Sequence, residues 1–473
     1  MKILYVTSEA VPFMATGGLA DVAGSLPKAL NGGPVSCRVV MPLYGGIKQE
    51  FREKMEFITD ITVPVGWRQQ YCGIFSTKLD GVTFYFLDNE YYFKRDGIYG
   101  HYDDGERFAF FSRAVPEILP VIDYKPDIIH CNDWQSALVP VYYSVLFAEN
   151  PDFAGIKTIF TIHNIQYQGV YGHSILGDVF GLPAHSASLL DFSGALNLMK
   201  GAIECADRVT TVSKTYAKEI MDPWFSHGLD SILRQRSYKV SGILNGIDFV
   251  NYDPAKDKVI FENYSAKKPE GKAKNKTELQ KLLKLEIEEN KPLMGIISRL
   301  VSHKGLDLIM AVLDDIVYYS DIQLAVLGSG DKKYEDFFHS VSSRYPGRVS
   351  FTCGFVPDLA RKIYAGSDMF LMPSKSEPCG LSQMLALRYG SIPIVRETGG
   401  LKDSVTDSGD GAGNGFTFKS YNADDMKDAV YRTLEKYKDK EGWQKLKLRA
   451  LKCDNSWAAS AKEYRALYND LLK

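Results

Sequence analysis

The sequence predicts an α/β protein built from two doubly wound, Rossmann-like domains. Three observations carry this expectation. Apolar runs of strand length alternate with helical patterns from the first residues onward, which implies parallel strands covered on both faces. The alternation stops in a charged, Lys-rich stretch near 253–291, broken by Pro254, Pro269 and Gly271, and then restarts. A chain of 473 residues also exceeds one comfortable hydrophobic core.

In the first half, residues 3–7 read as a buried strand, followed by a loop with Pro12, Gly17 and Gly18 and a helix over 20–30. Strand, glycine loop, helix is the usual opening of a nucleotide-binding domain. Residues 37–41 read as a second strand, and 71–79 with 82–87 as a hairpin closed by Asp80-Gly81. Further buried strands are expected at 127–131, 157–162 and 209–212, the first two leading into Asp133-Trp134 and His163-Asn164. In the second half, strands are expected at 293–298, 323–327, 349–352, 369–372 and 392–395, each followed by a helical pattern. The boundary falls near 246, giving domains 1–246 and 247–455, and the amphipathic segment 456–473 can pack back on either. Acids interspersed among the lysines of 253–291 favour a solvated helix there over a binding face for an anionic partner.

Composition excludes several classes. A formal net charge of -2 gives no reason to expect nucleic acid or an anionic membrane as partner. Seven scattered cysteines, an odd number with no Cys-x-x-Cys, argue against a disulfide framework or structural zinc and fit a reducing cytoplasm. The first apolar run is too short for a signal peptide and no later run reaches membrane-spanning length. The sequence lacks a Walker-type phosphate loop, a Gly-x-Gly-x-x-Gly after the first strand and a Gly-x-Ser-x-Gly elbow. It also lacks Asp-x-Asp, so no metal and no cofactor is expected and fixed positive charge would have to neutralise any phosphate.

Four groups of residues point to chemistry. Glu377 stands in Ser374-Lys375-Ser376-Glu377-Pro378-Cys379-Gly380-Leu381, a turn between a strand and a helix that begins at Ser382. Such a turn lies at the carboxyl edge of a parallel sheet, where ligands bind and helix N–H groups face them. Arg299 and Lys304 open the first helix of the second half, where together they can grip a diphosphate. Asp133 and His163 stand at strand ends, the latter in a run rich in hydrogen-bonding groups suited to sugar hydroxyls, although a lone histidine is more often structural. Thr16-Gly17-Gly18-Leu19 is echoed by Thr398-Gly399-Gly400-Leu401, two turns that would let backbone approach one ligand. Residues 88–113 add a run of Tyr and Phe, some placed to stack on sugar rings and others core.

In this order, these motifs resemble bacterial glycogen synthases and plant starch synthases nearly end to end. The resemblance runs through Ser8-Glu9-Ala10-Val11-Pro12-Phe13, the Thr16 turn, Arg107 to Ala114, and His130-Cys131-Asn132-Asp133-Trp134. It continues through the run from His163 to Gly169, Ala206 to Ser213, Gly242 to Asp248, Ser298-Arg299-Leu300 with Lys304-Gly305, and the Glu377 and Thr398 turns. It implies the GT-B fold, two domains facing across a cleft, with the acceptor on the N-terminal side and the nucleotide sugar on the C-terminal side. It implies transfer of glucose from ADP-glucose, or UDP-glucose, to the non-reducing end of glycogen or another α-1,4-glucan with retention, independent of metal, in the cytoplasm.

The same resemblance implies residue roles. Arg299 and Lys304 would hold the diphosphate, and Glu377 the region of the glucose 3-hydroxyl. The amides of Gly380 and Leu381, with Cys379 and Ser382, would order the site. His163 would sit by the anomeric carbon and the 6-hydroxyl, with Asp133, Asn164 and Asn245 in the sugar and acceptor pocket. Phe355 would stack on the base, Glu9 and Asp21 would face acceptor or nucleotide, and Thr16, Gly17, Gly18, Thr398 and Gly399 would close on the diphosphate. Three departures stand out: Ala15 where the family has Lys, Gln135 where it often has His, and Leu385 where the wider GT-B pattern has a second Glu. Ala15 keeps open a catalytically weakened glucan-binding or regulatory paralogue, and a GT-B transferase acting on a small acceptor is a third reading.

Overall fold

The computed structural model describes residues 1–409 and 411–473. They form two compact units, Met1–Gly246 with Trp457–Lys473, and Ile247–Ser456.

The first unit is built on nine strands: β1 Lys2–Val6, β2 Ser36–Pro42, β3 Glu56–Val65, β4 Arg68–Leu79, β5 Val82–Asp88, β6 Ile128–Asn132, β7 Lys157–Ile162, and, after a small separate sheet, β11 Arg208–Thr211 and β12 Val240–Gly242. The small sheet holds β8 Val170–Tyr171, β9 Asp191–Phe192 and β10 Ala195–Asn197. The order of the large sheet is β12-β11-β7-β6-β1-β2-β5-β4-β3. Central strands are apolar on both faces because helices cover both: Ile3, Leu4, Ile128, Ile129 and Ile159 are fully buried.

One edge departs from the parallel arrangement the alternation implied. β4 pairs antiparallel with both β3 and β5, so the sheet is mixed. The β4–β5 turn is the expected one, with Asp80 and Gly81 both at positive φ (49° and 82°), as a two-residue hairpin loop requires. β3 carried no clear signal: its register shifts between Phe57 and Thr59, which breaks the two-residue period, and Phe57 and Ile58 are exposed. The C-terminal helix Trp457–Leu471 belongs to this unit. Arg465 donates to the carbonyls of Ala29 and Leu30 (2.6 and 3.0 Å) at the end of helix Gly18–Asn31, and Tyr468 OH meets His130 Nδ1 at 2.8 Å.

The second unit has one sheet of β13 Leu293–Ile297, β14 Gln323–Gly328, β15 Val349–Cys353, β16 Met369–Met372, β17 Ile392–Arg396 and β18 Phe416–Phe418. All its pairings are parallel, in the order β15-β14-β13-β16-β17-β18. This is the 3-2-1-4-5-6 winding of dinucleotide-binding sheets, whose direction reverses between β13 and β16. In the first unit the corresponding reversal lies between β1 and β6. β18 escaped the sequence reading because it is three residues long and follows a glycine-rich stretch. The Lys-rich stretch also differs from expectation. Its helix Gly271–Leu282 is not simply solvated, because Lys272 and Lys276 are 5% and 4% exposed and Leu279 is fully buried. Their aliphatic stems pack inward while their ammonium groups reach acceptors.

Candidate functional site

In the second unit, the loops after β13 and β16 meet at the reversal point. Gly305 (φ 75°) lets them nest, since a Cβ there would lie 2.0 Å from the Pro373 carbonyl, and Lys375 N–H donates to His303 O at 2.9 Å. Buried Arg396, at the end of β17, donates through Nε to Ser374 O (2.9 Å) and through a second nitrogen to Lys375 O, pinning the second loop from behind. Between the loops lies a cavity of about 200 Å³, lined by Ser298, Arg299, Lys304, Ser374 and Ser382 above an apolar floor that includes Ile296 and Leu371.

Lys304 and Glu377 were expected to act on different parts of a ligand, and here they bind each other. Glu377 Oε2 accepts from Lys304 Nζ at 2.7 Å and from Ser374 Oγ at 2.9 Å. Glu377 is buried, Lys304 is half-buried and Arg299 is exposed. Arg299 is thus the cation directed outward, while the ion pair is locally neutral. Partial burial, then the charge of Lys304, shifts the neighbouring His303 imidazole downward against the pull of Glu377.

The Gly399–Gly400 turn has a structural task. Glycine is required there because a Cβ on Gly399 (φ 43°) would lie 2.0 Å from Glu377 O and one on Gly400 2.0 Å from Cys379 O. Gly400 N–H donates to the carbonyls of Glu377 and Pro378, both at 3.1 Å. The turn therefore cradles the Glu377 loop rather than opening a path for ligand, and Thr398 is buried as the residue that starts its helix. Gly380 (φ 71°) and Leu381 bring the chain into helix Ser382–Arg388, and Gln383 Nε2 holds the Cys379 and Gly380 carbonyls at 3.1 and 3.0 Å. Phe355 is 90% exposed after β15 and does not line the cavity. Leu385, where the wider pattern has a Glu, packs against the Tyr264, Tyr364 and Tyr389 cluster.

In the first unit the carboxyl ends of β1, β6 and β7 bring Glu9, Asp133 and His163 into one polar cluster. Asp133 adopts φ 54°, a strained conformation for a residue with a side chain, and its Oδ1 accepts from the N–H groups of His163 (2.7 Å) and Asn164 (3.4 Å). Burial, with a smaller contribution from Glu9, raises Asp133 to about 7 against the pull of those two N–H groups. Asn132 fixes the state of His163. Its Nδ2 donates to Val6 O (2.9 Å) and His130 O (3.3 Å), so its Oδ1 is the acceptor for both Tyr5 OH and His163 Nε2 at 2.9 Å. His163 therefore carries its proton on Nε2, and burial holds its pKa down at about 3. It is a neutral imidazole with an Nδ1 lone pair.

Glu9, expected to face a ligand, is instead committed to its own loop. It is buried, with its Oε2 accepting from Thr16 N–H (2.5 Å) and Thr16 Oγ1 (2.8 Å). This holds Thr16-Gly17-Gly18 at the start of helix Gly18–Asn31. Unlike the second pair, these glycines are not demanded by packing: a Cβ on Gly18 meets nothing within 4 Å, and one on Gly17 only Glu9 Oε1 at 3.9 Å. The space above them is open, and Ala15 and Asp21 are exposed beside it. Asn245 is buried near the end of the unit with Oδ1 unpartnered, and Gln135 Oε1 is likewise buried without a partner. Of the aromatic run, Tyr92, Phe93, Phe108, Phe110 and Phe111 are core, while Tyr91 and Tyr102 are exposed.

Sequence reasoning did not single out Asn132, Tyr5, Ser374 or Arg396. Asn132 and Ser374 sat inside motifs already singled out, one place from Asp133 and three from Glu377. Nothing local marked Tyr5 or Arg396, whose partners lie in segments distant in sequence or on another strand. Among the described residues no group of three or more His, Cys, Asp or Glu side chains is placed to hold a metal ion.

Two family models match: the starch synthase catalytic domain over residues 2–235 and glycosyl transferases group 1 over 280–447. The chain is 51% identical over 476 residues to a glycogen synthase of Desulforamulus reducens, covering 100% of this chain and 99% of that one. It is 50% identical over 479 residues to a glycogen synthase of Clostridium acetobutylicum, covering all of both. Among solved structures, the catalytic domain of starch synthase IV from Arabidopsis thaliana, bound to ADP and acarbose, superposes with TM-score 0.89 at 35% identity, over 99% of each chain. Sucrose-phosphate synthase of Thermosynechococcus elongatus shares the fold alone, at TM-score 0.60 and 15% identity over 99% of this chain and 98% of that one. Two doubly wound units, each with its polar residues at the reversal point, and matches that run the length of the chain lead to one conclusion: the chain belongs to the glycogen synthase and starch synthase family and is a glycosyltransferase of the GT-B fold.

Proposed function

We propose that this enzyme is a glycogen synthase that transfers glucose from ADP-glucose to the non-reducing end of an α-1,4-glucan with retention of configuration. The observation that carries the reading is the cavity at the β13/β16 reversal, where Arg299 and the Lys304–Glu377 pair converge. In this reading the second unit takes the nucleotide sugar and the first the glucan. The relatives named glycogen synthase and the ADP and acarbose in the starch synthase IV structure support both assignments. Arg299 and Lys304 bind the diphosphate and stabilise the charge that grows on it as the glycosidic bond breaks. Glu377, already oriented by Lys304 and Ser374, accepts hydrogen bonds from glucose hydroxyls.

His163, uncharged and fixed through Asn132, offers Nδ1 as an acceptor to a sugar hydroxyl and is no proton donor at neutral pH. No side chain is assigned as a second nucleophile. The step is a same-face displacement in which a departing phosphate oxygen takes the acceptor hydroxyl's proton. Open space over Gly17 and Gly18 leaves the backbone of that turn free to approach a ligand. A reducing cytoplasm suits seven cysteines that are all free, and no described helix is long and apolar enough to cross a membrane.

The test is incorporation of labelled glucose from ADP-glucose and from UDP-glucose into glycogen, with chelator present and absent. Transfer from ADP-glucose, insensitive to chelator, is expected. Failure with both donors, in the native chain and in Ala15→Lys alike, would overturn the enzyme reading in favour of a glucan-binding protein.

A further inference from the structure

A second polar cavity lies at the opposite edge of the second unit's sheet. It measures about 370 Å³ and is lined by residues preceding β13 and β16, among them Glu289, Asn290 and Asp368. It therefore sits at the amino ends of the strands, one strand length, roughly 16 Å, from the Arg299 cavity. Its walls are two helices. Gly271–Leu282 contributes Lys272, Ala273 and Lys276, and Lys440–Leu451 contributes Lys440, Trp443, Gln444 and Lys447, one face of a 3.6-residue period.

The four lysines divide into two pairs. Lys272 and Lys276 form the floor with their donors committed. Lys272 Nζ donates to Ala365 O and Tyr389 O (both 2.9 Å) and more weakly to Tyr364 O (3.4 Å). Lys276 Nζ pairs with Asp368 at 2.7 Å and donates to Glu289 O and Lys291 O. Asp368 is itself used by Lys276 and by Leu293 N–H at 2.9 Å. The ammonium groups of Lys440 and Lys447, by contrast, make no hydrogen bond or ion pair among the described residues. Lys440 rests 4.4 Å above the Tyr437 ring, Lys447 is half-buried, and the indole N–H of Trp443 beside them is buried without an acceptor.

Lys440 and the acids Glu270 and Glu289 are exposed, so water weakens their fields alike, while half-buried Lys447 faces the cavity with its charge unpaired beside the Lys276–Asp368 pair. Like charges are costly to hold together in a half-closed space. Burial, opposed by the Asp368 carboxylate and reinforced by Lys447 and Lys276, pushes Lys272 down to about 7, and burial, likewise opposed by Asp368 and reinforced by Lys276 and Lys440, lowers Lys447. An anion would relieve this strain.

We propose that this cavity binds a small oxyanion of the phosphate class through Lys440 and Lys447, remote from the transferase site. A free phosphate and the phosphoryl group of a small ester present the same chemistry, and the volume admits either.

The experiment is thermal unfolding of the full chain at constant ionic strength, titrated with inorganic phosphate, with glycerol phosphate, or with chloride as control. In the wild type and in Arg299→Ala, tenfold saturation with phosphate or the ester should raise Tm by about 3 °C. In Lys440→Ala/Lys447→Ala the rise should vanish, and in Lys440→Arg/Lys447→Arg it should persist. A stronger response to the ester than to phosphate at equal concentration assigns the site to phosphorylated metabolites, and the reverse to the free ion. Without phosphate the alanine double variant should melt within about 3 °C of the wild type, since the repulsion it removes is offset by loss of the Lys440 contact with the Tyr437 ring and of the Lys447 stem's packing. An equal rise with chloride, an undiminished rise in the alanine double variant, or loss of the rise in Arg299→Ala overturns the proposal.

Discussion

Replacing Lys304 by Met strands the Glu377 carboxylate in a buried position with Ser374 Oγ as its remaining side-chain donor. The contact removed is a charge-assisted hydrogen bond of 2.7 Å between side chains only 16% and 9% exposed. Bonds of this kind contribute about 1.5–3 kcal/mol, and leaving one member of a fully buried pair costs about 3–5 kcal/mol. Residual exposure of Lys304 lowers the second figure, so Lys304→Met should destabilise the second unit by about 2–3 kcal/mol. Glu377→Gln keeps the acceptor oxygen and shape but gives up the charge, and should cost about 1 kcal/mol. With both changes no carboxylate is stranded, so the double variant should be about 1.5 kcal/mol more stable than the sum of the singles predicts. Scanning calorimetry of the four proteins measures this directly, each kcal/mol moving the transition by roughly 2–4 °C in a unit of this size. Because the pair is buried, 1 M NaCl should leave the coupling largely intact. Additivity within about 0.3 kcal/mol, or coupling that salt abolishes, would show an ordinary surface pair and refute the picture of a preformed, internally neutral site.

The same neutrality predicts the sign of an affinity change. Glu377→Gln should bind ADP about 5- to 10-fold more tightly by calorimetry while transferring glucose at least 100-fold more slowly, because it leaves a net cation beside the phosphates at the expense of sugar orientation. Gly18→Ala, in open space at the start of a helix, should fold with unchanged or slightly higher Tm and lose more than tenfold in kcat/KM. Gly400→Ala, whose Cβ would lie 2.0 Å from Cys379 O, should lose about 3 kcal/mol or more of stability. Asp133 binds a proton in the native state up to about pH 7 and in the unfolded state only to about pH 4, so its contribution to stability is complete below pH 4 and lost as pH rises to 7. Asp133→Asn should remove that pH dependence, a change of about 4 kcal/mol between pH 4 and pH 7, read as Tm against pH.

Features that depend on neighbours along the chain are legible in the residues alone. The strands over 157–162 and 369–372, the Asp80-Gly81 hairpin turn and the placing of Arg299, Lys304, Glu377, Asp133 and His163 at strand ends all follow from local periodicity and turn chemistry. What those side chains touch emerges only on packing. Lys304 and Glu377 are 73 residues apart in sequence and 2.7 Å apart in space, and Glu9 turns inward to Thr16. The two Gly-Gly turns, alike in sequence, differ in purpose because a carbonyl lies against one and open space against the other. Lys272 and Lys276, solvated by any reading of composition, are buried because carbonyls and Asp368 converge on them from distant segments. Local sequence sets backbone conformation, whereas charge state and hydrogen-bond partners are properties of an environment that exists only once the chain has packed.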